Sequence, residues 1–166
     1  MLKIITDVEK LRGKNETVSL NEGKEIIRIL ESVLKTGLGL AAPQVGIHKR
    51  VAIVRAEDKI DFINPVILSA EDPFTNFREG CLSIPNKRFN TKRFGEIFVK
   101  DDLHPDGVII TGGAAIVAFH EIDHLSGILV MDRSVGKSKI GRNDPCPCGK
   151  LVNNKPIKWK KCHGRY

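Results

Sequence analysis

Apolar residues in the first quarter of the chain recur every three or four positions, which predicts an amphipathic helix. Ile26, Leu30 and Leu34 would lie on one face of it. Residues 19–22 have the form of a capping box, in which Ser19 accepts hydrogen bonds from first-turn amides and the glutamate reaches back. Gly37 stands where a C-terminal cap is favoured. These signals predict a helix of about 16 residues.

Shorter apolar runs bounded by turn residues predict strands. Residues 51–54 form a compact apolar run, and residues 61–64 are predicted as a second short strand, which ends before a proline. Residues 96–100 and 108–110 flank a segment rich in Asp, Pro and Gly, which predicts a hairpin.

A second helix is predicted from near Gly113 to about Leu125, where Gly127 supplies a stop signal. Helices and short strands in one chain of 166 residues indicate an α+β fold.

No run approaches the roughly 20 apolar residues that cross a bilayer, and the N-terminus is too short in apolar residues for a signal peptide. The four cysteines do not suggest a disulfide framework. We therefore expect a cytoplasmic protein with no membrane partner.

Charge divides the chain into two unequal parts. The net charge is +7, yet the first 132 residues hold 17 Lys/Arg against 19 Asp/Glu, and the last 34 hold 10 against a single acid, Asp144. A basic arm of this kind tends to bind polyanions, although a merely solvated tail is the alternative. The predicted organisation is a nearly neutral main domain, a small polar linker and a basic C-terminal unit, at residues 1–133, 134–140 and 141–166.

Residues 120–124, His-Glu-Ile-Asp-His, carry the strongest chemical signal. On a helix, residues four apart share a face, so His120 and His124 can bind one metal ion together, with Glu121 close enough to exchange protons. Two histidines on an ordinary helix are the alternative. A zincin-like metallopeptidase has the same motif, but it needs a further downstream His or Glu ligand. The only later histidine, His163, belongs to a different cluster.

Two further segments change this picture. They are Gly-Leu-Gly-Leu-Ala-Ala-Pro-Gln at residues 37–44 and Glu-Gly-Cys-Leu-Ser at residues 79–83. Together with residues 120–124, in this order and spacing, they resemble the peptide deformylase family over roughly residues 1–133. The resemblance implies mixed and antiparallel strands around a central metal-binding helix. It also implies a hydrolase that removes the formyl group from N-terminal formylmethionine of nascent polypeptides and releases formate.

The same resemblance makes Cys81 the third metal ligand beside His120 and His124. A small buried hydrophobic role is the commoner fate of a lone cysteine. One thiolate and two imidazoles leave the fourth position of a tetrahedral site open, as in catalytic metal sites. The family uses Fe²⁺ in the cell and accepts Ni²⁺ or Zn²⁺, and the ligand types do not discriminate among these ions.

Three catalytic roles follow from the resemblance. Glu121 would accept a proton from the attacking water and pass it to the leaving amine. The side-chain amide of Gln44 and the backbone N–H of Leu82 would stabilise the negative charge that builds on the formyl oxygen.

The resemblance also implies substrate contacts. Gly39, with its neighbour Leu40, would pair main chain to main chain with the peptide. Ile116 and Val117 precede His120 by about one turn, so they are candidates for the methionine pocket, with a plain core role as the alternative. Arg88 matches a position near the substrate channel of the family, where a solvated arginine is the alternative.

The tail contains a set of one histidine and three cysteines that can close a tetrahedral Zn²⁺ site. This set comprises Cys146, Cys148, Cys162 and His163. Residues 141–164 resemble the SEC-C motif, with a longer stretch between residues 149 and 162. The resemblance implies a small structural zinc knuckle, because a segment of this size does not fold alone.

Basic residues surround the tail tryptophan, Trp159, and predict its partners. Lys158, Lys160, Lys161 and Arg165 could bind ribosomal RNA through phosphates, with the indole stacking on a base, or dock on an acidic export chaperone. A non-enzymatic adaptor that acts through this tail is the remaining alternative to an enzyme.

Overall fold

In the computed structural model, residues 2–136, 142–143, 151–152 and 155–162 are described. Their α-helices are α1 (Val8–Leu11), α2 (Leu20–Val33) and α3 (Gly112–Leu125). Short 3₁₀ turns cover Ala42–Val45, Val130–Arg133 and Trp159–Lys161. No helix in these residues has the length and apolar character to cross a bilayer.

Two three-stranded antiparallel sheets accompany the helices. The first has the order β1-β2-β3, and its strands are Gly39–Ala41, Val51–Arg55 and Lys59–Ile63. The second has the order β4-β5-β6, and its strands are Val66–Cys81, Ile84–Lys100 and Val108–Thr111. The expected combination of helices with antiparallel strands is confirmed, as is the hairpin between β5 and β6.

Helix α2 differs from its prediction at both ends. Ser19 caps it, with its hydroxyl accepting from the N–H of Glu22 at 3.3 Å. The carboxylate of Glu22 lies 3.9 Å from Lys49 Nζ, so a salt bridge takes the place of the reciprocal capping bond. The C-cap predicted at Gly37 is wrong. The helix ends at Val33 because Leu34 adopts an extended backbone and packs against the core beside α2.

Strand β2 explains how the layers stack. Val51 and Ile53 contact the apolar face of α2, whereas Ala52 and Val54 contact α3 on the other side of the sheet. The α3 cluster also includes apolar residues of β5 and β6. The order is therefore α2, first sheet, α3, second sheet. Helix α3 is central, and ten of its 14 residues are buried, which shields its polar side chains from solvent.

Helix α3 begins and ends where the sequence predicts. Its last residue is Leu125, and Gly127 follows with φ of 70°. The N–H of Gly127 donates to the carbonyl of His124 at 3.1 Å, and that of Ile128 donates to Asp123 at 2.9 Å. These two bonds form a Schellman motif, which satisfies the terminal carbonyls and fixes the end of the helix that carries both histidines.

The long β4–β5 hairpin was not predicted beyond residues 96–100. Residues 71–73, Glu-Asp-Pro, disfavour a strand, and only three of the 16 residues of β4 are buried, so its sequence lacks apolar alternation. The register shifts between Asn76 and Glu79 and again between Glu79 and Cys81. Bulges of this kind turn Glu79 and Cys81 inward, and both side chains are buried.

The first residues of the predicted linker contact β5. Ser134 bridges to Thr91 of β5, and the N–H of Val135 donates to the carbonyl of Asn90 at 2.8 Å. In the described part of the tail, β7 (Leu151–Val152) pairs with β8 (Lys155–Pro156). The domain boundaries at residues 133 and 140 stay a prediction.

Candidate metal centre

Three side chains that are distant in sequence meet beneath the second sheet. Cys81 ends β4, whereas His120 and His124 lie one turn apart on α3. All three are buried, and one ligand atom of each lies within 4.8 Å of the others. Cys81 Sγ and His124 Nε2 lie 3.3 Å apart.

The donor set fits a divalent transition metal. A thiol and two imidazoles at this separation match the ligands of Zn²⁺, Fe²⁺ or Ni²⁺. Nδ1 of His120 is engaged by Glu79, which leaves its Nε2 for an ion. Within the described residues the buried Oε2 of Glu121 has no hydrogen-bond partner. A bound ion with its water would give this oxygen a polar neighbour.

Glu79 orients the first histidine. Its Oε1 accepts from His120 Nδ1 at 2.6 Å, a contact of the type that fixes the tautomer of a metal-binding histidine. Glu79 is itself held by Asn76 and Thr91, whose side chains donate to Oε2 at 2.9 and 2.6 Å.

A fully buried arginine, Arg93, anchors this arrangement. Its guanidinium donates to both oxygens of Glu79, at 2.9 and 2.5 Å, and to Asp123 Oδ2 at 2.8 Å. Arg133 donates to the same Asp123 at 2.7 Å. The chain of charges ties β4, β5 and α3 together around the site. The sequence analysis did not single out Arg93, because it lies among other basic residues of β5 and no motif marks it.

The ion pairs set the protonation of this cluster. Burial alone would raise the pKa of Glu79, but hydrogen bonds from Arg93 and His120 outweigh it and hold that pKa well below the usual range. Burial opposes the charged form of His120, yet the bonds to Cys81 and Glu79 raise its pKa to about 10 in the protein alone. A cation at Nε2 would displace that proton. Burial and the charge of His120 lower the pKa of His124.

Glu121 is placed to exchange protons at the centre. It follows His120 on α3, is buried, and lines the same cavity as Cys81. Burial raises the pKa of Glu121 to about 7, which suits a group that accepts and returns a proton near neutrality. Gly39 of β1 leaves the space for it, because a Cβ at Gly39 would lie 2.5 Å from Glu121 Oε1.

Gln44 is fixed beside the sulfur. Its Oε1 accepts from the N–H of Ala41 at 2.8 Å, and its Nε2 lies 3.7 Å from Cys81 Sγ and 3.2 Å from Ser83 Oγ. The amide N–H groups therefore face the metal-ligand side rather than solvent. Leu82 follows Cys81 and lines the same cavity.

A cavity of about 430 Å³ opens onto these groups. Among the predicted substrate residues, it is lined by Gly39, Arg88, Ile116 and Val117. Leu40 is placed differently. Its side chain is fully buried in the cluster between α2 and the first sheet, so only its main chain is left for contact with a peptide.

The predicted tail ligands are only partly within the described residues. Cys146, Cys148 and His163 lie outside them, whereas Cys162 follows the 3₁₀ turn at Trp159–Lys161. The zinc knuckle therefore stays a prediction.

The fold and the site fit a metal-dependent hydrolase, because a buried Cys-His-His set that can hold a metal ion and a buried glutamate beside it share one cavity. The profile of the polypeptide deformylase family matches residues 1–139, and the chain belongs to that family. Members hydrolyse the formyl group from formylmethionine at the start of nascent polypeptides, and this chain is a hydrolase of the same kind.

Individual relatives agree with this assignment. The peptide deformylase of Leptospira biflexa is 33% identical over 166 residues, which covers 86% of this chain and 93% of that protein. The deformylase of Synechococcus elongatus in complex with actinonin has a TM-score of 0.72 and 33% identity, covering 82% of this chain and 80% of its own. The Met-Ala-Ser-bound enzyme from Acinetobacter baumannii has a TM-score of 0.71 and 29% identity, covering 80% and 98%.

Proposed function

We propose that this chain deformylates formylmethionyl peptides at the cavity that Cys81, His120, His124 and Glu121 share. The observation that carries the proposal is the convergence of three metal-binding side chains with a buried carboxylate oxygen that has no protein partner in the described residues. An ion held by these ligands supplies Lewis acidity and an activated water at neutral pH. Fe²⁺ is the proposed ion, with Ni²⁺ or Zn²⁺ as substitutes.

Proton transfer and stabilisation of the developing charge are assigned to Glu121, Gln44 and Leu82. Glu121 accepts the proton of the attacking water and passes it to the leaving amine, a role that suits its raised pKa of about 7. The Nε2 hydrogens of Gln44 and the backbone N–H of Leu82 stabilise the charge that develops on the formyl oxygen. Gln44 is held in place for this by the N–H of Ala41, so it needs no reorganisation during the reaction.

The substrate lies along β1. Gly39 and the main chain of Leu40 pair with the peptide, and the absence of a side chain at Gly39 lets that peptide approach Glu121. Ile116 and Val117 line the cavity one turn before His120 and accept the methionine side chain. Arg88 lines the same cavity, and its guanidinium lies close to Gly80. The relative with bound Met-Ala-Ser supports a peptide of this type as product.

Formate release from formyl-Met-Ala-Ser tests the proposal. Anaerobically purified protein should release formate without internal cleavage, and Glu121→Ala should keep its metal but lose nearly all turnover. Internal cleavage would favour the metallopeptidase alternative. Absence of both products from metal-loaded protein would favour an adaptor that acts through the tail.

The tail is proposed to bind Zn²⁺ through Cys146, Cys148, Cys162 and His163, so that it folds around the ion. Zinc analysis of the full chain and of Cys162→Ser tests this directly. Loss of one equivalent in the variant is expected, and unchanged zinc contradicts the site.

The tail lysines are proposed to attach the enzyme to ribosomal RNA through phosphates, which would raise its concentration near nascent chains in the cytoplasm. An acidic export chaperone is the second candidate partner. Lys158 and Lys161 are exposed, which supports either partner. Equal cosedimentation with ribosomes after removal of residues 136–166 would refute attachment to ribosomal RNA. Binding of the full-length chain to an acidic export chaperone in the absence of ribosomes would favour the chaperone.

A further inference from the structure

The described C-terminal residues pack onto the catalytic part through the only tryptophan of the chain. Trp159 begins the 3₁₀ turn, and the N–H of Lys160 donates to the carbonyl of Arg142 at 3.0 Å, which joins residues 155–162 to residues 142–143. The indole meets the ring of Phe77 on β4 edge to face, with centroids 4.5 Å apart and planes at 62°. An aromatic pair in this geometry is specific as well as apolar.

Phe77 is almost fully covered where this contact is made. It is only 6% exposed, although it belongs to none of the three core clusters formed by the described residues. The indole of Trp159 lies against it and contributes to this cover.

Phe77 lies inside the irregular stretch that aims Glu79 at His120. The register shift of β4 falls between Asn76 and Glu79, and Arg78 adopts a left-handed φ of 61°, which is costly for a residue with a side chain. Such a conformation persists where surrounding contacts hold it. On the far side of this bulge, Glu79 accepts from His120 at 2.6 Å.

The start of the C-terminal segment reaches the same place. Asn90 of β5 accepts from the N–H of Arg78 through its side chain, at 3.3 Å, and from the N–H of Val135 through its carbonyl, at 2.8 Å. The segment is therefore attached to the bulge at its beginning through Val135 and near its end through Trp159.

We propose that Trp159 is a positioning residue for the deformylase reaction. Docked on Phe77, it holds the β4 bulge so that Glu79 keeps the ring of His120 in place. Release of the indole loosens this contact and slows turnover.

The single tryptophan provides a readout that needs no turnover. In the full-length chain, Phe77→Ala should shift the fluorescence emission of Trp159 to the red and increase its quenching by acrylamide. Phe77→Leu serves as a second variant that keeps most of the apolar volume, and it should give a smaller shift in the same direction. Lys155→Ala changes an exposed side chain of the same segment and should leave emission unchanged. Unchanged emission in both Phe77 variants would overturn the docking.

The kinetics of Trp159 variants distinguish a positioning role from a purely structural one. This kinetic test rests on the proposed function, which formate release by the wild type tests independently. Trp159→Ala should lower kcat on formyl-Met-Ala-Ser about three- to tenfold. KM should stay within about twofold, because Trp159 does not line the cavity. Trp159→Phe should restore kcat.

A double variant completes the test. If Trp159 acts through Phe77, the chain with both alanines should be no slower than the slower single variant. Wild-type kcat in Trp159→Ala, or losses that multiply in the double variant, would overturn the proposal.

Discussion

Gly39→Ala probes the space that the first sheet leaves for Glu121. A Cβ built on Gly39 lies 2.5 Å from Glu121 Oε1 and 2.8 Å from Val117 Cγ1. Ordinary contact begins near 3.4 Å, so the carboxylate must give way by about 0.9 Å. The strand does not yield easily, since β1 is paired with β2 through Gly39 and Val54, so the displacement falls on the side chain of Glu121.

The size of the effect follows from that displacement. A misplacement of about 1 Å in a catalytic group costs on the order of 100-fold in rate, or about 2.7 kcal/mol of transition-state stabilisation. The added methyl also occupies the edge along which we expect the peptide to lie. We therefore predict that Gly39→Ala lowers kcat/KM about 100-fold. Its metal content should be unchanged, because the clash does not involve the sulfur or the imidazoles.

The assay is formate release by anaerobically metallated protein, with metal analysis on the same samples. Gly113→Ala is the matched control: it adds the same methyl near the start of α3, where the closest atom, on Glu57, is 3.6 Å away. This variant should keep wild-type turnover. Activity in Gly39→Ala within about threefold of wild type would refute the claim that Glu121 needs the space beside Gly39.

Two further predictions concern stability. Arg93→Met should destabilise the fold by about 3–5 kcal/mol in urea unfolding, because it leaves the buried carboxylates of Glu79 and Asp123 without their shared partner; a variant as stable as wild type would contradict this. The hydrogen bond from Arg12 lowers the pKa of Asp132, so the charged carboxyl stabilises the fold above its usual pKa of 3.8, and this contribution is lost as pH falls through the lowered folded value. Asp132→Asn should therefore lower the urea midpoint at pH 7 and converge with wild type in acid, and a difference that persists there would refute the assignment.

Sequence alone predicted what local signals encode. Gly127 marked the end of α3 because a positive φ favours glycine, and β2 was visible because both of its faces are buried. The C-cap predicted at Gly37 was wrong, because the helix ends earlier, at Val33, and the chain turns at Leu34 to pack against the core. No local sequence signal encodes that tertiary contact.

The candidate site shows the same division. Residues 120–124 and Cys81 were predicted from motifs. The buried ion pairs that hold these residues in place were not predicted. Arg93 is one of several basic residues along β5, and only the folded chain shows that it is fully buried between Glu79 and Asp123. The contact between Phe77 and Trp159 joins residues more than 80 positions apart, which no periodicity could reveal.

Metal occupancy of Cys81→Ser tests the central claim most directly. Protein purified anaerobically and loaded with Fe²⁺ should hold one iron per chain and release formate, whereas Cys81→Ser should lose both iron and turnover while its far-ultraviolet circular dichroism stays that of the wild type. Retention of iron and of formate release by Cys81→Ser would contradict the account.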